Sequence, residues 1–151
     1  MKLLLLLIIS ISSLFSSSEG IRKAYNAGIK YGWQNTLALI SHMESNGGDN
    51  LINLRDPSCG YFHANINTVI KRHSEIRDTP YNRNVLCSKL ITDLDFAAAE
   101  AVAELNFWNK YHHGNYRKVL SSYNGGFRGN PVYMKKALKA RPYVKKIIEG
   151  R

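Results

Sequence analysis

Residues Asn84–Tyr111 read NVLCSKLITDLDFAAAEAVAELNFWNKY. Neither proline nor glycine interrupts them, and alanine fills the middle at Ala97–Ala99, Ala101 and Ala103. Alanine costs no side-chain entropy in a helix, and small residues let a neighbouring helix approach closely. The stretch predicts one long helix, ended by Gly114. Downstream, Tyr116–Tyr123 reads as a helix stopped by Gly125-Gly126. Pro131–Leu138 and Pro142–Ile148 read as two more, with Pro142 at the first helical position of its own segment. Upstream, Ile21–Lys30 predicts a short helix that Gly32 interrupts. Asn35 or Thr36 can cap the next, whose apolar positions include Leu37, Ile40 and Met43. Asn46-Gly47-Gly48 stops that helix and leaves Glu44 on its last turn. Asn50–Thr68 reads as loop, with a turn at Asp56-Pro57-Ser58, and Val69–Ile76 as helix. Pro80 and Asn82 break the chain before the long helix. The alternating β-branched signature of strands is nearly absent, so the expected class is mainly α, a helical domain with functional loops.

The chain has 151 residues and a formal net charge of +10. A domain of about 130 residues buries roughly two thirds of its unfolded surface, so a core forms without metal. No internal repeat or linker divides it. Lys2 followed by the apolar run Leu3–Ile9 and then a serine-rich stretch is the pattern of a secretory leader. Ser16 and Ser18 supply small residues before a cut near Ser18 or Gly20. The expected division is a signal peptide at 1–18 and one catalytic domain at 21–151, exported to the periplasm. The apolar run is short for a membrane span, though an uncleaved anchor is the alternative, and no cysteine near the cut suggests a lipoprotein. Export permits a disulfide. Cys59 and Cys87 are the only cysteines: either they pair, for about 3 kcal/mol in the chain-entropy account, or they are two buried thiols.

Positive charge draws polyanions. Here it clusters at Lys135-Lys136, Lys139-Arg141 and Lys145-Lys146, without the aromatic interleaving of an RNA-binding surface. Glu44 is the first candidate for chemistry. A carboxylate at a helix C-terminus meets the negative end of the macrodipole, and apolar neighbours such as Met43 add desolvation. Both favour the neutral acid, which is what protonation of a glycosidic oxygen requires.

Four motifs surround this residue in order: Leu37-Ala38-Leu39-Ile40-Ser41-His42-Met43-Glu44-Ser45, Ser58-Cys59-Gly60-Tyr61-Phe62-His63-Ala64-Asn65, Ser122-Tyr123-Asn124-Gly125-Gly126, and Pro142-Tyr143-Val144-Lys145-Lys146-Ile147. Together they resemble the soluble lytic transglycosylases, over about residues 31 to 149. The resemblance implies a lysozyme-like helical domain with a glycan-binding cleft. It implies Glu44 as the acid/base, with Ser45 as the serine that follows it. Gly60, Tyr61 and Phe62 would line the sugar cleft. Tyr123 and Asn124 would place the glutamate and the glycan, Tyr143 would border the carboxyl, and the alanine-rich helix would pack centrally behind the cleft. The sequence departs from the family at His63, where glutamine is usual, and at Ser122, where alanine is. An imidazole beside the cleft changes charge with pH, so the pH optimum or subsite preference is expected to differ.

An ordinary glycosidase uses two carboxyl groups. Here the nearby alternatives, Asp49 and Asp56, match no catalytic position of the family. The expected reaction is therefore non-hydrolytic cleavage of the β-1,4 MurNAc–GlcNAc bond of peptidoglycan, leaving 1,6-anhydro-MurNAc ends, with Glu44 as sole acid/base. A hydrolytic muramidase assisted by Asp49 or Asp56 is the competing enzyme. A silent wall-binding protein of a secretion or conjugation complex is the competing binder, and a cationic nucleic-acid or membrane-surface protein a third reading that the leader disfavours. His42, His112 and His113 lack metal-ligand spacing, and no cofactor is expected.

Overall fold

The computed structural model describes residues 17–53 and 55–150. The apolar run that predicts a leader lies outside them. The expected cut near Ser18 or Gly20 falls in the first turns of α1, which occupies residues 17–28. The chain there is packed: Ser17 and Gly20 are buried and Ile21 is fully enclosed. A Cβ on Gly20 would stand 1.5 Å from the Gly47 carbonyl oxygen. This glycine therefore lets α1 touch the loop that follows Glu44.

A short 3-10 turn at Ile29–Tyr31 and a left-handed Gly32 lead into α2, Gln34–Ser45. Neither Asn35 nor Thr36 caps it. Trp33 occupies the N-cap without a side-chain bond, and its indole Nε1–H donates instead to Asn106 Oδ1 at 2.9 Å. The helix ends as read from the sequence, at a left-handed Asn46 whose N–H bonds the Ser41 carbonyl. The expected loop then holds a small antiparallel sheet of β1 (Ile52–Asn53), β2 (Ser58–Cys59) and β3 (Ala64–Asn65), in that spatial order. Ile52 pairs with Cys59, and Ser58 with Asn65. Strands of two residues offer no alternation for a sequence reading to find.

Helix α3 runs Ile66–Arg72, earlier than expected, because the Asn65 side chain accepts the Asn67 N–H and caps it. The long helix is in fact two: α4, Pro80–Thr92, and α5, Leu94–Tyr111. Asp93 sits between them in an extended conformation, and its carboxylate caps α5 through the Phe96 N–H. Helix α6 is Tyr116–Gly125, followed by a 3-10 turn at Gly126–Arg128. The two final helices expected around Pro142 are one, α7, Pro131–Glu149, with Pro142 inside it. Pro142 lacks the N–H that would bond the Leu138 carbonyl. Burial of Tyr133, Ala137, Val144 and Ile147 on one face carries the helix through that loss.

Two apolar clusters form the core. One joins Leu37 and Ile40 of α2 to residues of α3, α4 and α5; the other joins Ala38 and Leu39 to α1, α6 and α7. Helix α2 is thus clamped on both sides, and its end, where Glu44 stands, has little freedom. The alanine-rich α5 serves only the first cluster. Cys59 and Cys87 form a disulfide that ties β2 to α4 across 28 residues of sequence. Reducing it is expected to lower the melting temperature by about 10 °C, from roughly 3 kcal/mol of chain entropy. Calorimetry with and without reductant checks this. An unchanged midpoint would mean that the sheet holds without the bridge. No helix of the described residues is long and apolar enough to cross a membrane.

Candidate functional site

Glu44 opens into a cavity of about 230 Å3 whose lining includes His63, Arg72, Glu100, Tyr123 and Asn124. Its side chain is only 12% exposed. Asn124 Nδ2–H donates to Glu44 Oε1 at 3.3 Å, and Asn124 is itself held by Asn130 Nδ2–H at 2.8 Å. His63 Nδ1 lies 3.5 Å from Glu44 Oε2, an ion-pair distance longer than a hydrogen bond.

The residues around Glu44 are fixed by hydroxyls that grip backbone. Ser45, fully buried, has its Oγ 2.8 Å from the Tyr61 carbonyl and accepts the Gly48 N–H at 2.9 Å. Tyr123 donates its hydroxyl to the Phe62 carbonyl at 3.0 Å. Burial first, and Glu44's charge second, hold that phenol well above its ordinary range, so it stays a donor. Between these two anchors the segment Gly60–His63 turns sharply. Gly60 has φ +84°, and a Cβ there would stand 2.4 Å from the Leu90 carbonyl oxygen, so this position requires glycine. His63 itself sits at φ +44°, where a side chain is strained.

Several placements differ from expectation. Phe62 is buried in the core and, like Gly60 and Tyr61, is not part of the cavity lining. These residues support the cavity from behind, while His63, Ala64 and Asn65 line it. Tyr61 packs its ring on Gly48, whose Cβ would meet the ring at 2.6 Å. Tyr143 is 44% exposed and lies against His42, with ring centroids 5.2 Å apart. The tyrosine that borders Glu44 is instead Tyr133, on the same helix. It is buried, and its hydroxyl faces the carboxylate without reaching good hydrogen-bond geometry. Burial first and Glu44 second push this phenol well up too. Asp56 lines the cavity and accepts the Asn65 amide at 2.9 Å; Asp49 does not line it and is held by Asn46.

The sequence reading missed the charged side of this cavity. Arg72 Nε–H donates to Glu100 Oε2 at 2.9 Å and its Nη1–H to Glu104 Oε2 at 2.8 Å. Trp108 Nε1–H donates to Glu104 Oε1 at 2.6 Å, and His73 Nε2 lies 2.6 Å from Glu100 Oε1. A signal existed: Glu100 and Glu104, four residues apart, share a face of the alanine-rich helix with buried Ala97 and Ala101. Beyond this cluster, Phe107, Tyr111 and Phe127 expose 50%, 53% and 72% of their surface. Phe127 follows the cavity residue Gly126 and lies with its ring centroid 5.0 Å from that of Trp108.

No protein-family model matches the chain, and no solved structure matches it. It is similar to an uncharacterized 20.7 kDa protein in the vs-regB intergenic region of Enterobacteria phage T4, at 28% identity over 139 residues, which are 88% of this chain and 75% of that one.

Proposed function

We propose that the chain is a peptidoglycan lytic transglycosylase with a lysozyme-like domain, in which the cavity around Glu44 is the glycan cleft. The observation that carries this reading is the setting of Glu44: nearly enclosed, at the end of a helix packed on both faces, and in contact with Asn124 and His63 from other elements. The four motifs that resemble the family converge on this region, three of them at the cavity.

The mechanism follows from one carboxyl group acting twice. Glu44, protonated, gives its proton to the glycosidic oxygen, and the C–O bond breaks. The N-acetyl group of the muramoyl sugar stabilises the cation at the anomeric carbon. Glu44, now ionised, takes the proton of that sugar's 6-hydroxyl, whose oxygen closes on the anomeric carbon. The proton count at Glu44 is restored and no water is consumed. Asn124 holds one carboxyl oxygen in place through both steps. The buried Tyr123 and Ser45 keep the opposite wall from shifting. The exposed rings of Phe107, Tyr111 and Phe127 offer the apolar faces that suit pyranose rings.

An exported enzyme of this kind acts in the periplasm on glycan strands, either in wall turnover or beside a secretion or conjugation complex. Its positive charge concentrates it on a sacculus rich in peptide carboxylates, an attraction that salt screens.

One observation favours a second reading, hydrolysis by a muramidase: Asp56 lines the same cavity and could steer a water. Mass spectrometry of sacculi digested by the mature protein separates the two. Muropeptides lighter by one water are expected. Reducing ends in their place would make the chain a hydrolase and give Asp56 a role. Absence of any product from folded protein would favour the binding reading.

A further inference from the structure

We propose that His63 is a positioning residue that shares a proton with Glu44, so that the carboxyl–imidazole pair, not the carboxyl alone, is the acid of the site. The proposal rests on the acid/base reading of Glu44 for its catalytic meaning, but the sharing itself is a property of two side chains.

The argument begins with the tautomer. His63 Nε2 is 2.7 Å from the Asn50 carbonyl oxygen. A carbonyl only accepts, so Nε2 carries the hydrogen. In the neutral ring Nδ1, which faces Glu44 Oε2, is therefore bare. Bare Nδ1 and ionised Glu44 repel each other across 3.5 Å. Adding one proton removes the conflict in either of two ways. On Nδ1 it makes an imidazolium beside a carboxylate; on Oε2 it makes a carboxylic acid donating to a neutral imidazole. The two forms interconvert by moving the proton from Nδ1 to Oε2, with no net change of charge. In the second form Glu44 is the acid that glycosidic cleavage needs. The two side chains, 10% and 12% exposed, are shielded from water that would otherwise serve the same purpose. The glutamine usual at this place in the family could not hold the proton.

The surroundings agree. Burial pulls His63 toward the neutral form, but Glu44, the Asn50 carbonyl and Asp56 together outweigh it and hold the imidazole above its ordinary range. Asp56, between β1 and β2, is the other carboxylate acting on the ring. From α6 and α7 the facing titratable groups are Tyr123 and Tyr133, which burial keeps protonated and uncharged. Arg72 and Glu104 act on Tyr123, deeper in the cavity. None of these supplies a competing proton near neutrality.

The test is a histidine NMR titration of the mature chain, with the His63 signal assigned by its loss in His63→Gln. In wild type His63 is expected to titrate above the ordinary histidine value. In Glu44→Gln its midpoint should move down, since burial then acts with less opposition. Reciprocally, the Glu44 carboxyl 13C titration should change in His63→Gln, because coupled groups report each other. An unchanged His63 midpoint in well-folded Glu44→Gln, or an unchanged Glu44 profile in His63→Gln, overturns the proposal. On sacculi, the alkaline limb of kcat/KM should move to lower pH in His63→Gln; an identical limb would deny the pair its role in the acid step. Coupled titrations in a protein that cleaves nothing would leave the shared proton standing and remove the enzymatic reading instead.

Discussion

Glu44→Gln is expected to reduce release of soluble muropeptides by about 10³-fold or more, in the upper range for loss of a general acid. The size follows from the double duty of the residue. An amide can neither protonate the leaving oxygen nor take the proton of the 6-hydroxyl, so both halves of the reaction fail. The fold should survive. The Gln carbonyl oxygen can replace Oε1 as acceptor for Asn124 Nδ2–H, and its amide can donate to the bare Nδ1 of neutral His63. Circular dichroism and the melting temperature should therefore stay near wild type, while anhydro products disappear from the mass spectrum. A folded Glu44→Gln that still cleaves would remove Glu44 from the chemistry altogether.

The position of Glu44 was legible because local rules agree there. Apolar spacing marks α2, and Asn46-Gly47-Gly48 must end it, so the last turn is fixed by backbone chemistry alone. Ser45, Tyr123, Asn124 and His63 were legible only through their resemblance to a motif set. Nothing in their spacing says that a serine hydroxyl grips the Tyr61 carbonyl or that Tyr123 grips that of Phe62. Helix boundaries failed where tertiary contacts overrule propensity. Asp93 splits the long helix because its carboxylate caps α5, whereas Pro142 fails to split α7 because four buried side chains hold the helix to its neighbours. That failure bears on the site. Reading two short helices directed attention to Tyr143, at the start of the second, whereas the continuous helix brings Tyr133 to Glu44 and leaves Tyr143 largely in solvent. The Arg72–Glu100–Glu104 cluster stayed hidden for a different reason. Its members come from α3 and α5, and pairing across 28 and 32 residues of sequence has no local signature.

That cluster carries the largest expected effect on stability. Glu100 is 6% exposed, and it neutralises Arg72 while standing 2.6 Å from His73 Nε2. Glu100→Ala would leave the guanidinium short of one partner inside the cavity wall, which costs about 3–5 kcal/mol and lowers the melting temperature by roughly 10–20 °C. The penalty comes from the orphaned charge more than from the lost pair. Arg72→Met combined with Glu100→Leu should accordingly recover much of the loss, although it removes the whole interaction. If the double variant is no more stable than Glu100→Ala, packing rather than charge is the cause. The pH dependence gives an independent check. The Glu100 hydrogen bond, against a smaller opposing effect of burial, holds His73 above its ordinary value. A group raised on folding stabilises fully below its unfolded pKa, about 6.5 for histidine, and loses that contribution as pH rises through the folded value. Wild type should therefore lose stability from His73 on going from mildly acidic to mildly alkaline solution, and Glu100→Ala should lose less over the same interval. An equal loss in both proteins would mean that His73 draws its proton affinity from Glu75 and not from the buried glutamate.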